Sequence, residues 1–161
     1  MYVAGEAEIL SQPRQGEARK HHYLDSYCEF SPAGLEHVVK NLADQAFRNL
    51  IFEVPPAAAK LRRPGLGFAH AAGARFSILY SGENICAQLI ELSSGSQAQV
   101  TGPAIVATVY ESPVEFISPE HGTRMLRGFE DLEAVPIGSS GLLRCEAGGP
   151  VRVLVVTLGC E

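Results

Sequence analysis

Two hydrophobic periods divide the chain. Between Ser31 and Asn49, the residues Leu35, Val38, Val39, Leu42 and Ala46 recur at helical spacing and form one apolar stripe. Ser31 suits a helix N-cap and Pro32 the first helical position, where a missing N–H costs nothing. Glu36, Lys40, Asp44 and Arg48 share another face at i+4 spacing. This pattern predicts a helix over about 32–48, packed on a sheet. From Arg75 onward the period becomes two: Phe76, Ile78 and Tyr80 alternate with Ser77, Leu79 and Ser81. Strands follow at 84–92, 97–101, 103–110, 113–118, 123–127, 131–136, 141–146 and 150–158, separated by Gly-, Ser- and Pro-containing turns. Many short strands with regular turns predict an all-β antiparallel sandwich or barrel.

The flanking segments are less regular. Residues 1–30 mix turn formers and charges around short extended pieces near 1–9 and 23–30, and read as an N-terminal arm. A short strand is expected at 50–54, ended by Pro55-Pro56. Residues 55–74 are rich in Pro, Ala and Gly and read as a connector.

Composition narrows the class. With 161 residues, 46% of them apolar, the chain has the length of one domain and the material for a packed core. Net charge is −5, and the part beyond Arg63 is the more acidic, so nucleic acid is not an expected partner. Lys60, Arg62 and Arg63 form a compact basic cluster that reads as a solvated loop. No apolar run is long enough for a membrane span, and the N-terminus lacks the pattern of a signal peptide. A cytoplasmic location is therefore expected. Cys28, Cys86, Cys145 and Cys160 are widely spaced, with no Cys-x-x-Cys pair, and read as buried thiols apart from Cys160 near the end.

Several short motifs occur in a distinctive order: Gly34-Leu35, Phe76-Ser77-Ile78, Gly102-Pro103-Ala104-Ile105-Val106, Met125-Leu126-Arg127-Gly128, Val135-Pro136-Ile137 and the hydrophobic run 151–158. Over about residues 31–161 this order resembles the C-terminal β-domain of type I phosphomannose isomerases, a cupin-like jelly roll. The resemblance implies a helix plus cupin-like β-domain over 31–161, preceded by the arm read over 1–30. In that family the isomerase chemistry uses zinc held by Gln, His, Glu and His of a separate catalytic domain. The resemblance therefore implies a fold and no catalytic residue in this sequence.

Candidate chemistry is sparse. A metal-binding cupin uses a His-x-His pair, a Glu and a later His, whereas His21 and His22 are adjacent and point to opposite faces of an extended strand. His37, His70 and His121 lie far apart in sequence, and no metal or cofactor is expected. There is no Gly-x-Ser-x-Gly elbow, and Glu130-Asp131-x-Glu133 reads as a charged turn. The stretch Pro64–His70 lacks the spacing of a phosphate loop, but a flap carrying Arg62, Arg63 and His70 suits an anionic ligand. The leading expectation is a non-catalytic module that binds a small polar metabolite or a protein partner and forms a homodimer through its arm or open strand edges. The alternatives are a sugar-phosphate isomerase relative and a metal-free epimerase or cyclase working by acid–base chemistry.

Overall fold

The computed structural model describes residues 1–31, 34, 36–53, 73–82, 85–110, 113–129, 131–146 and 148–158. They divide into two compact units, Met1–Glu53 and Val54–Glu161. All regular elements among the described residues are strands.

The first unit holds β1 (Tyr2–Ala4), β2 (Ala7–Pro13), β3 (Arg19–Tyr23), β4 (His37–Asn41) and β5 (Arg48–Leu50). β1 pairs with β5, and β2 lies between β3 and β4, all antiparallel. Gly5, at φ +79°, turns β1 into β2, and its N–H donates to Asp25 Oδ1 at 2.8 Å. Val3, Ala7, Ile9 and Tyr23 form the small core of this unit.

The helix expected over 32–48 is not there. Residues 37–41 are β4, registered on β2 with Val39 opposite Ser11 and His37 opposite Pro13. Three local features work against the helix. Gly34 sits at φ +84°, outside helical space, where the first turn was expected. Val38 and Val39 are adjacent β-branched residues, which suit a strand. Asn41 Oδ1 accepts from Ala43 N–H at 3.1 Å, and Asn41 Nδ2 donates to Gln45 O at 2.6 Å. That turn diverts backbone groups a helix needs for its own ladder. The apolar stripe is not buried either, since Val38 is 70% exposed. The strand expected at 50–54 lies at Arg48–Leu50 instead.

The second unit is a jelly roll. Its strands are β6 (Ala74–Ser81), β7 (Ile85–Leu92), β8 (Gln97–Thr101), β9 (Ala104–Thr108), β10 (Val114–Ser118), β11 (Gly122–Leu126), β12 (Leu132–Val135), β13 (Ser140–Arg144) and β14 (Val151–Leu158). The pairs β7/β14, β8/β13, β9/β12 and β10/β11 make one long antiparallel hairpin folded on itself. Rolling it up gives a five-stranded sheet in the order β12-β9-β14-β7-β6 and a four-stranded sheet in the order β11-β10-β13-β8. The strands expected for β7 to β14 match these bounds within two residues.

Alternation along each strand builds the core between the sheets. Ile90 and Leu92, Val106, and Val151, Val153 and Val155 face it from the larger sheet; Val100, Val114, Phe116, Leu126 and Leu143 face it from the smaller one. Two glycines permit the closest approaches. A Cβ on Gly102 would meet Pro136 O at 2.0 Å, and one on Gly141 would meet the Phe116 ring at 2.3 Å. The connector expected over 55–74 lies, up to residue 72, outside the described residues; Gly73 precedes β6, which begins at Ala74.

Candidate functional site

Arg144 of β13 pairs with Glu115 and Glu146, and charge is gathered at two further places in the jelly roll. The first is inside it. Strand register puts Gln88, Val155, Val106 and Glu133 in one row across β7, β14, β9 and β12, on the face that also carries Ile90 and Val153. Glu133 belongs to β12 and its side chain is 3% exposed, so the charged turn expected over 130–133 is corrected: Glu133 faces the interior because it alternates with exposed neighbours in step with buried Val135. An ionised carboxylate in such a place needs partners. Its Oε1 accepts from His121 Nδ1 at 2.7 Å, and its Oε2 accepts from Arg124 Nη1. His121 comes from the β10–β11 turn, held there by its own N–H donating to Ser118 Oγ at 3.0 Å, and Arg124 comes from β11. Both partner side chains are about half exposed. The trio thus ties an edge strand of one sheet to an edge strand of the other. With the imidazole proton on Nδ1, Nε2 is a proton acceptor.

Gln88 is the other interior polar residue of this row. It is 5% exposed, its Nε2 lies 3.7 Å from Cys86 Sγ, and its Oε1 is buried without a hydrogen-bond partner. Between Gln88 and Glu133 the row is valine, and Phe116 against Gly141 fills the space on the facing sheet. No group of three His, Cys, Asp or Glu side chains that would hold a metal occurs among the described residues. The donor set here, one carboxylate already bridging an imidazole and a guanidinium, does not fit the three-imidazole pattern of a metal cupin.

The second place is outside. Arg75, Glu91 and Arg152 are cross-strand partners on β6, β7 and β14, on the face opposite the core. Arg152 Nε donates to Glu91 Oε1 at 2.9 Å, and the Arg152 guanidinium lies 5.7 Å from the ring centre of Tyr110. Tyr110 adopts φ +90°, an uncommon conformation for a residue with a Cβ. The turn is pinned just before it, where Val109 N–H donates to Arg152 O at 3.0 Å. Arg75, Glu91, Ser93, Tyr110, Pro150 and Arg152 line a concavity of about 890 Å³ where β6 and β14 begin and β7 ends.

Arg62, Arg63 and His70, the ligand-contacting residues expected from sequence, lie outside the described residues. The groove residues were not singled out from sequence. Each sits in a short apolar-charged-apolar stretch, Ala74-Arg75-Phe76, Ile90-Glu91-Leu92 and Val151-Arg152-Val153, which signals an outward-facing charge in a strand. Only the register shows that the three are neighbours.

Cys86 and Cys145 are buried and Cys28 is half-buried; burial pushes the Cys28 and Cys145 thiols up. Cys160 lies outside the described residues.

No protein-family model and no curated protein matches the sequence. Among solved structures the chain is similar to the Cupin_2 domain of an XRE family transcriptional regulator from Enterobacter cloacae, at 13% identity over 52% of this chain and 94% of that one, with a TM-score of 0.46. It is also similar to the DMSP lyase DddQ from Ruegeria pomeroyi, at 20% identity over 64% of this chain and 57% of that one, TM-score 0.49. A third is the polyketide cyclase RemF from Streptomyces resistomycificus, at 17% identity over 68% and 80% of the two chains, TM-score 0.46. Likeness at this level says nothing about ligand or activity. The jelly-roll assignment stands on the strand order itself, and the comparisons offer nothing toward a phosphomannose isomerase.

Proposed function

We propose that this chain is a non-catalytic binding module that holds a small polar metabolite in the groove beside Arg75, Glu91 and Arg152. The observation that carries this reading is the charged row along a concavity of about 890 Å³, a size ordinary for small-molecule sites. In the described interior Phe116 lies against Gly141, and Val155 and Val106 stand in the row between Gln88 and Glu133. A second copy of the chain is the proposed partner, through the open edges of β3 and β4, and the cytoplasm the proposed location; no helix among the described residues is long and apolar enough to cross a membrane.

The test is NMR titration of the labelled chain with a fixed panel of monocarboxylates, sugar phosphates including mannose 6-phosphate, and neutral sugars. Shifts confined to Arg75, Ser93, Tyr110 and Arg152 support the reading. Shifts centred on Gln88, Phe116 and Gly141, or chemical turnover of a panel compound, overturn it.

One observation favours a second reading, a metal-free acid–base enzyme. The His121–Glu133 pair orients an imidazole with one nitrogen available, the arrangement a general base requires. Product formation abolished in His121→Gln, with the fold intact, is the result that would establish it.

A further inference from the structure

Resting on the groove as the binding site, we infer that its ligand is a small monocarboxylate with a flat apolar body, and that Arg75 is the residue that takes the carboxylate. The two arginines are not equivalent. Arg152 is engaged on both sides, its Nε donating to Glu91 and its guanidinium lying over the Tyr110 ring. Arg75 flanks Glu91 from the other neighbouring strand, is exposed, and has no ion pair among the described residues. Its planar fork matches a carboxylate with two parallel hydrogen bonds.

Charge selects the class of anion. Arg75, Glu91 and Arg152 together carry one net positive charge. A monocarboxylate makes the row neutral. A phosphate monoester, at roughly −1.5 to −2 near pH 7, places surplus negative charge beside Glu91. The rest of the lining describes the body of the ligand. Pro150 offers exposed apolar surface, and Tyr110 offers an aromatic ring held in place by its own backbone turn. Two strand spacings of about 4.8 Å separate the backbones of Arg75 and Arg152, with Glu91 between them.

Titration with four probes tests this: benzoate, acetate, phenyl phosphate and benzyl alcohol, read by backbone NMR shifts. The expected result is that benzoate moves Arg75, Ser93 and Tyr110 and binds about tenfold more tightly than each of the others. Arg75→Gln weakens benzoate by about tenfold or more, and Arg75→Lys restores part of the loss. Phenyl phosphate or benzyl alcohol binding the groove as tightly as benzoate overturns the monocarboxylate class while leaving the groove as the site. Benzoate binding unchanged in Arg75→Gln overturns the role of Arg75. If none of the four probes shifts a groove residue, the class is overturned, and the wider metabolite panel separately decides whether the groove binds anything.

Discussion

The ring of Phe116 lies directly against the backbone of Gly141. A Cβ at position 141 would stand 2.3 Å from both Cε2 and Cζ of that ring, far inside van der Waals contact. The two residues come from neighbouring strands of the four-stranded sheet, β10 and β13, and both face the interior. Glycine at 141 is what allows an aromatic side chain to fill this part of the jelly roll. The expected consequence is that Gly141→Ala destabilises the protein by about 1–3 kcal/mol through overpacking. Phe116→Leu vacates the ring atoms concerned, so the alanine costs less in that background. A double-mutant cycle measured by urea unfolding checks this; equal costs in both backgrounds would show that the ring is not the obstacle.

Glu133 and its two partners are unequally buried, and that asymmetry predicts an asymmetric response. Removing His121 and Arg124 together leaves a carboxylate in the interior without compensation, a loss of about 3–5 kcal/mol. Glu133→Leu instead leaves the half-exposed His121 and Arg124 side chains to return to water, and places an apolar group beside Val106. The His121→Ala/Arg124→Ala variant is expected to melt well below Glu133→Leu, as followed by circular dichroism. Equal melting temperatures would mean that Glu133 is solvated in the native protein.

The first unit carries a pH-dependent contact of its own. Tyr27 Oη donates to Glu29 Oε2 at 3.0 Å, and this hydrogen bond to the carboxylate, followed by burial, raises Tyr27 above the ordinary tyrosine value of 10.0. Nearby Tyr23, its ring centre 4.7 Å away, is raised by burial first and by the Glu29 charge second. A raised value means that folding favours the protonated phenol. The stabilisation is therefore fully present below pH 10, and is lost as pH rises through the raised folded value. Tyr27→Phe removes it. Thermal melts from about pH 8 to about pH 11 are expected to show the wild type ahead at the lower end and the gap closing at the upper end. A gap that widens with pH would contradict the sign.

Burial also governs the thiols. With Cys28 and Cys145 raised by burial and Cys86 enclosed, alkylation by iodoacetamide near pH 8 should be slow at all three in the native protein and fast once it is unfolded. Peptide mapping by mass spectrometry separates the sites. Rapid native labelling of Cys145 would mean that the end of β13 opens readily.

The sequence by itself determined the strand ladder of the jelly roll. The largely apolar runs 85–92 and 151–158 and the turn residues between strands are local properties, readable without knowing any partner. It did not determine the state of residues 37–41, whose valines satisfy a helical stripe and a strand equally well; pairing with β2 and the turn made by Asn41 decided for the strand. Nor did it reveal either cluster of charge. Glu133 sits beside Asp131 and Leu132 in sequence, and its burial depends on the facing sheet bringing up His121 and Arg124. Arg75, Glu91 and Arg152 are separated by 16 and 61 positions, and they become neighbours only because two antiparallel registers align three strands. Local periodicity says which way a side chain points. Which other side chain it meets is set by long-range pairing, and the groove and the interior ion pair both belong to that second kind of information.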